Sequence, residues 1–179
     1  MTKVKIINSL THGLTTKLLT INLAIFSIFA LVGAYISQYV FGFQPCILCL
    51  YQRVPFFLVI GLALLLFWIK SEKLLKIIFF ICIAVLAINA FIAFYHVGVE
   101  FKFFKGFSGC SGGNLNQITN LEDLQKALAK QPSVKCDEPQ FYFLGLTMAF
   151  WNMLFCLFLV GSSILVYLQN SQNIVKNRK

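Results

Sequence analysis

The sequence is poor in charged residues and especially poor in acidic ones. Charged side chains make up 12% of the 179 residues, and only six of them are acidic, whereas about a quarter is usual in a soluble domain. Hydrophobic residues reach 59%. This scarcity of charge excludes an ordinary soluble globule. It indicates a polytopic membrane protein with a single domain over residues 1–179.

Motifs typical of several other function classes are also missing. The sequence contains no internal repeat, phosphate-binding loop, serine triad or nucleic-acid-binding motif. The apolar run after Lys17 is too long for a signal peptide, and residues 40–43 offer no small-residue cleavage site, so we expect this run to be retained as a membrane span. The membrane spans and the cysteines are therefore the features that indicate function.

Four uncharged apolar runs are long enough to cross a bilayer as helices, for which about 20 residues are needed. We expect spans at residues 18–39, 50–69, 77–95 and 143–168. The second span must begin before Arg53, because only 16 residues separate Arg53 from Lys70. The sequence thus predicts an all-α membrane protein, a four-transmembrane-helix bundle with two cysteine-bearing loops at residues 40–49 and 96–142.

The net charge of +9 does not indicate a nucleic-acid partner, because the positive charges are concentrated at one end of the predicted bundle. The two termini and the connection between spans two and three carry nine positive charges against the single negative charge of Glu72. The long connection after span three carries five charges of each sign. By the positive-inside rule, both termini are cytoplasmic and both cysteine-bearing loops lie on the outer side.

The six cysteines fall into two groups by their position relative to the spans. Two of them, Cys82 and Cys156, lie within spans three and four, where we interpret them as small apolar packing residues. The other four lie in the two outer loops, on the side of the membrane where disulfides persist: Cys46, Cys49, Cys110 and Cys136.

The Cys-x-x-Cys motif at residues 46–49 is followed four residues later by Arg53. An ionisable residue just inside the membrane indicates a functional site. Cys49 lies at the start of span two, where the helix dipole favours an anion, and Arg53 lies one turn away on the same face. We therefore expect Cys49, rather than Cys46, to be the stabilised thiolate. His96 ends span three at nearly the depth of Arg53 and is a candidate ligand contact.

Three interpretations of the four outer cysteines remain open. As structural staples, a 110–136 crosslink would contribute about 3.5 kcal/mol and a 46–49 crosslink about 2 kcal/mol, which a four-helix membrane bundle hardly needs. As zinc ligands, the thiolates would usually come from two close pairs, but Cys110 and Cys136 are 26 positions apart. As exchange sites, a loop pair facing solvent and a Cys-x-x-Cys pair facing the membrane could pass electrons between them.

These residues resemble the DsbB family, the bacterial disulfide-bond-formation proteins B. The resemblance covers about residues 15–170 and combines four features of the sequence: Cys46-Ile-Leu-Cys49-Leu-Tyr-Gln-Arg53, His96 after span three, the pair Cys110 and Cys136, and Cys136-Asp-Glu-Pro-Gln-Phe-Tyr-Phe-Leu-Gly-Leu-Thr-Met-Ala-Phe-Trp151.

The resemblance implies an enzyme of the bacterial inner membrane with its active site on the periplasmic side. Such an enzyme is a quinone-dependent protein-dithiol oxidase. It reoxidises a DsbA-like periplasmic partner of the thioredoxin fold, passes the electrons to ubiquinone or menaquinone in the membrane, and so supports disulfide-bond formation in exported proteins.

The resemblance also implies a role for each candidate residue. It implies two redox-active disulfides, Cys46–Cys49 and Cys110–Cys136. Cys110 would form the mixed disulfide with DsbA, and Cys46 would exchange with the loop pair. Cys49 would react with the quinone, and the quinone-binding residues would be Arg53, His96 and Cys49. No metal is implied.

Other readings differ in partner or in class. A vitamin K epoxide reductase-like thiol oxidase also has four helices and uses quinone, but its Cys-x-x-Cys lies late in the chain. A dedicated paralogue would serve another thioredoxin-like partner, and a membrane scaffold would use the cysteines as structural disulfides. We also expect a polar helix at residues 121–130 in the second loop.

Overall fold

The computed structural model describes residues 2–69, 71–107, 110 and 134–176. Its main elements are four helices, α1 (Thr2–Tyr39), α2 (Ile47–Leu65), α3 (Glu72–Glu100) and α4 (Met148–Lys176). A short antiparallel hairpin precedes α4 and consists of β1 (Tyr142–Phe143) and β2 (Leu146–Thr147).

Within the described residues, four helical segments are long and apolar enough to cross a membrane: Gly13–Tyr39, Ile47–Leu65, Glu72–Glu100 and Met148–Asn173. Continuous helix satisfies every backbone polar group inside lipid, which explains why long apolar runs adopt it. The predicted four-span helical fold is confirmed.

The helix bounds differ from the predicted spans where local structure overrides the apolar pattern. α2 begins at Ile47 rather than at residue 50, directly after an N-cap at Cys46. α3 continues to Glu100, so His96 lies inside the helix rather than at its end. α4 begins at Met148 instead of residue 143, because residues 142–147 form the hairpin. The predicted helix at 121–130 lies outside the described residues.

The hairpin before α4 turns tightly through Leu144 and Gly145. Both residues have positive φ, 52° and 77° respectively, as the favoured two-residue hairpin turns require. The strand residue Thr147 then accepts a hydrogen bond from the Phe150 N–H through its Oγ1, at 3.2 Å. This bond satisfies one of the free N–H groups in the first turn of α4 and fixes where the helix begins.

α3 is the central helix of the bundle and contacts each of the other three. Its fully buried Phe79 stacks on Tyr167 of α4 with ring centroids 5.3 Å apart. Leu86 of α3 is also fully buried, as are Leu23 of α1 and Val59 of α2. The outward faces carry large exposed apolar side chains, as expected for helices that face lipid.

The alternating helix directions bring several chain segments to one end of the bundle. These are the connection between α1 and α2, the last turns of α3, and the segment of residues 134–147 that leads into α4. The end of α3 is closed by Phe104, whose ring packs directly over Gly98 at the place a Cβ atom would occupy. All four cysteines of the predicted outer loops lie at this end.

Candidate functional site

Cys46 and Cys49 lie at the N-terminus of α2 as two free thiols. Their Sγ atoms are 3.0 Å apart. Cys46 is the N-cap of the helix, and its sulfur accepts a hydrogen bond from the Cys49 backbone N–H at 3.3 Å. The structure describes the pair as two thiols, and the Cys46–Cys49 disulfide stays a prediction.

The groups that stabilise an anion surround Cys46. The hydrogen bond with the Cys49 side chain, the contact of His96 Nε2 with Cys46 Sγ at 3.5 Å and the Cys49 backbone N–H together lower the pKa of Cys46 from 9.0 to about 4, although burial acts in the opposite direction. The sequence argument assigned the stabilised thiolate to Cys49 because it assumed a later helix start. Since α2 begins at Ile47, the N-cap position belongs to Cys46, and that premise was wrong.

The Gln52 side chain holds the His96 ring from its other side and is itself oriented by Asn152. His96 is 2% exposed, and its Nδ1 lies 3.1 Å from Gln52 Nε2. The Gln52 Oε1 accepts a hydrogen bond from Asn152 Nδ2 at 2.9 Å. The Gln52 amide group is thereby oriented with its N–H donors toward His96. Nδ1 is consequently the acceptor, and the neutral ring carries its proton on Nε2, which faces Cys46.

The polar chain continues from Asn152 deeper into the bundle. The Cys156 thiol donates to Asn152 Oδ1 at 3.7 Å and accepts a hydrogen bond from Asn89 Nδ2 at 3.4 Å. Cys156 and Asn89 are both fully buried. Cys156 packs in the buried core as expected, but its environment is not purely apolar, because its thiol also connects the buried Asn89 amide to the half-buried Asn152 amide. Cys82 lies within the same core cluster.

Glu100 lies one helical turn after His96 on α3. Its side chain is 6% exposed, and its Oε1 lies 3.7 Å from His96 Nε2. Its Oε2 accepts a hydrogen bond from Thr147 Oγ1 at 2.6 Å. The site thus includes a buried carboxylate that we expected to lie in the second outer loop, residues 96–142.

Arg53 is directed toward α1. Its Nη1 donates to Gln38 Oε1 at 2.7 Å, and the guanidinium lies 4.9 Å from the centroid of the Tyr35 ring. Arg53 and Cys49 both line the same cavity. Arg53 and Cys49 therefore lie at one site. The contacts that the structure describes for the guanidinium, however, are with α1.

Cys110 and Cys136 form a disulfide. The Cys136 N–H donates to the Cys110 carbonyl at 3.0 Å, which ties the two chain segments together at the backbone as well. Both residues are buried, with exposures of 0% and 1%. The expectation that this pair faces solvent is wrong for this state of the protein.

The disulfide lies next to the dithiol. The Cys136 sulfur, the Cys46 sulfur and a ring nitrogen of His96 all lie within 4.8 Å of one another. A soft metal ion could use such donors as thiolates, but the Cys136 sulfur is already bonded to Cys110. The arrangement favours sulfur exchange, because a thiolate attacks a neighbouring disulfide sulfur directly.

A cavity of about 530 Å³ opens beside the cysteine pair. One wall is apolar and comes from α1, including Phe29, Leu31 and Ala34. The polar side is formed by α2 and α3. It carries Cys46, Cys49, Gln52, Arg53, His96 and Glu100. An apolar cleft with a few convergent polar groups is the usual form of a small-molecule or cofactor site.

The comparison with known proteins agrees with this geometry. Residues 16–166 match the family described as disulfide bond formation protein DsbB. The chain belongs to the DsbB family. It is also 30% identical over 154 residues to an uncharacterised protein of Rickettsia prowazekii (strain Madrid E), RP370, covering 84% of this chain and 88% of that protein. The match confirms the predicted family. Together with the four helices that are long and apolar enough to cross a membrane, it indicates a multi-pass membrane protein of disulfide-bond formation.

The DsbB family implies a thiol–disulfide oxidoreductase, and the structure brings together all four predicted cysteines with His96 and Arg53. Sequence reasoning missed Gln52, Glu100, Thr147 and Asn152. A signal was present for Glu100, because it follows His96 by four residues and so lies on the same helix face. For Thr147 and Asn152 the sequence gives no such pairing, since their contacts in the site, with Glu100 and Gln52, are with other helices.

Proposed function

We propose that this DsbB-family protein reoxidises a DsbA-like periplasmic thioredoxin-fold protein and passes the electrons to ubiquinone or menaquinone. The protein would lie in the bacterial inner membrane with the cysteine end on the periplasmic side, and its activity would support disulfide formation in exported proteins. The observation that carries the proposal is the proximity of the Cys46–Cys49 dithiol to the Cys110–Cys136 disulfide at the edge of an apolar cavity.

The cavity residues fit a quinone. A quinone has two carbonyl acceptors on a flat ring and an apolar tail. The cavity offers an apolar α1 wall beside the donors Gln52 and Arg53, with His96 on the same side. Arg53 uses Nη1 on Gln38 and has further N–H donors, since a guanidinium has five. Bound quinone would supply the sink for two electrons and two protons.

The sulfur steps follow from the positions of the four cysteines. A thiolate of the partner attacks the Cys110 sulfur, forms a mixed disulfide and releases Cys136 as a thiolate. Cys136 then attacks Cys46 of the oxidised pair, which releases Cys49 beside the cavity. Because Cys110 is fully buried, its sulfur must become accessible before the partner can react.

The low pKa of Cys46, about 4, has a direct redox consequence. A thiolate that is stabilised in the reduced state makes the corresponding disulfide a stronger oxidant, as is true of DsbA itself. A strongly oxidising Cys46–Cys49 pair is what the reoxidation of such a partner requires.

The proposal can be tested in a bacterium that lacks its own membrane thiol oxidase and therefore accumulates its DsbA in reduced form. We expect this chain to restore oxidised DsbA, read by thiol labelling and gel mobility. Cys49→Ala is expected to abolish the effect, whereas the matched core variant Cys82→Ala is expected to retain it. DsbA that stays reduced in cells with correctly inserted protein contradicts the proposal, and so does full activity of Cys49→Ala.

A further inference from the structure

Glu100 is a buried carboxylate beside the redox pair that has no part in the sulfur steps. Its side chain is 6% exposed. Among the residues that the structure describes, the ionisable group within ion-pair distance of it is His96 rather than a lysine or an arginine. A buried charge is costly unless it is paired and hydrogen-bonded, so the role of this carboxylate requires an explanation.

The hydrogen-bond donors around Glu100 are well defined. Thr147 Oγ1 accepts the Phe150 N–H, which leaves its own hydrogen for Glu100 Oε2, 2.6 Å away. On the other side, Gln52 fixes the His96 proton on Nε2. That nitrogen lies 3.5 Å from Cys46 Sγ and 3.7 Å from Glu100 Oε1. A single N–H donor therefore serves two acceptors.

The charge on one acceptor constrains the charge on the other. With the Cys46–Cys49 disulfide formed, Cys46 carries no charge, and an ionised Glu100 can receive both the Thr147 and the His96 hydrogen bonds. With Cys46 as a thiolate, an ionised Glu100 would be a second buried anion at the same ring nitrogen, His96 Nε2. Uncompensated buried charges cost several kcal/mol each, so a proton on Glu100 is favoured in the reduced state.

We propose that Glu100 is a positioning residue that acts through His96 and takes up a proton when the Cys46–Cys49 disulfide is reduced. The buried site then carries one negative charge in both redox states. The inference rests on redox cycling of this pair, which is part of the proposed function, and adds to it a group that holds a proton next to the cavity.

The step balances in atoms and electrons. The reactants are the Cys46–Cys49 disulfide, the Glu100 carboxylate and an external dithiol. The products are the Cys46 thiolate, the Cys49 thiol, the Glu100 carboxylic acid and the oxidised external disulfide. Two electrons break the sulfur–sulfur bond of the pair. Of the two protons from the external dithiol, one goes to Cys49 and the other to Glu100. No proton is exchanged with the solvent.

The other charged groups that line the cavity are already engaged. From α2, Arg53 binds Gln38 of α1, and Cys49 is part of the redox pair itself. From the segment before the hairpin, Lys135 pairs with Glu138 at 3.2 Å, and both are largely exposed, with side-chain values of 43% and 69%. The cavity residues contributed by α1 and α4 are uncharged.

The test is the equilibrium of the quinone-free, full-length protein with dithiothreitol between about pH 5.5 and 7.5, where ordinary thiols keep their protons. After acid quenching and alkylation, mass spectrometry gives the ratio of reduced to disulfide-bonded Cys46–Cys49 peptide. We expect the wild-type equilibrium constant to be independent of pH. In Glu100→Gln the proton is released to solvent, so the constant rises tenfold per pH unit, or about 30 mV for a two-electron couple.

Glu138→Gln is the matched control, because it removes an exposed carboxylate from the same cavity, and it is expected to behave as wild type. Infrared difference spectra of the wild-type protein provide a second readout that does not depend on any variant folding. Reduction should produce a carboxylic-acid carbonyl band that shifts in deuterated water. Glu100→Gln should lack this band.

The outcomes separate this inference from the proposed function. Three results would overturn the role of Glu100 and leave the redox pair intact. They are a wild-type equilibrium constant that rises tenfold per pH unit, a Glu100→Gln constant that is independent of pH, and a wild-type spectrum without the carboxylic-acid band. If Cys46 and Cys49 form no disulfide that dithiothreitol reduces, the proposed function fails and the role of Glu100 fails with it.

Discussion

The stabilisation of the Cys46 thiolate by Cys49 gives the sharpest quantitative prediction. The Cys49 thiol lies 3.0 Å from Cys46 Sγ, and this hydrogen bond is the largest contribution that lowers the pKa of Cys46. Cys49→Ala removes it. The variant leaves the backbone N–H at 3.3 Å and His96 Nε2 at 3.5 Å in place, so part of the stabilisation remains.

The size of the effect follows from that single bond. A hydrogen bond to a charged group contributes about 1.5–3 kcal/mol, and about 1.4 kcal/mol corresponds to one pKa unit. We therefore expect the pKa of Cys46 to rise from about 4 to about 5–6 in Cys49→Ala. The thiolate is present above the pKa, so the variant loses it at a higher pH than wild type does.

The assay is the rate of Cys46 alkylation by iodoacetamide as a function of pH, in reduced and quinone-free protein, with the labelled peptide quantified by mass spectrometry. The readout is the midpoint of the profile rather than the rate at one pH, because the intrinsic nucleophilicity of a thiolate rises with its pKa. Cys82→Ala is the matched control. If the wild-type midpoint lies at the ordinary thiol value, or if Cys49→Ala has the same midpoint as wild type, then Cys49 does not stabilise the Cys46 thiolate.

Two further predictions concern the cavity and the bundle core. Arg53→Gln should raise the apparent KM for quinone while the mixed disulfide of Cys110 with its partner still forms, and an unchanged KM would limit Arg53 to its contacts with α1. Cys156→Ala should keep its turnover but lower the free energy of unfolding by about 1–3 kcal/mol, because the buried Asn89 amide and the half-buried Asn152 amide lose a partner. Cys82→Ala should leave those amide contacts intact, so comparing the denaturation of the two variants checks whether the loss is specific.

Much of the architecture could be predicted from apolar run lengths and charge positions. These patterns depend on the bilayer thickness and on the cost of burying charge, and both act locally along the chain. The Cys-x-x-Cys pair and Arg53 were recognisable from the sequence because they interrupt an apolar segment. The starts of α2 and α4 were less predictable, because they depend on local backbone geometry. Cys46 acts as the N-cap of α2, and the positive φ of Leu144 and Gly145 forms the hairpin that precedes α4.

The site's polar network could not be predicted in the same way. The contact of Gln52 with Asn152 joins residues 100 positions apart, and that of Thr147 with Glu100 joins residues 47 positions apart. Such contacts depend on how α2, α3 and α4 pack together. The assignment of the stabilised thiolate depended on them as well, because His96 reaches Cys46 only in the folded bundle.

The central claim is that electrons from a soluble dithiol protein leave through the Cys46–Cys49 pair to a quinone. The most direct measurement is the number of reduced DsbA molecules oxidised per molecule of purified, quinone-free and oxygen-free protein, with and without added quinone. We expect oxidation that stops after the protein's own disulfides are consumed, and sustained turnover once quinone is added. Sustained turnover without quinone would contradict the claim, as would turnover by Cys49→Ala at the wild-type rate.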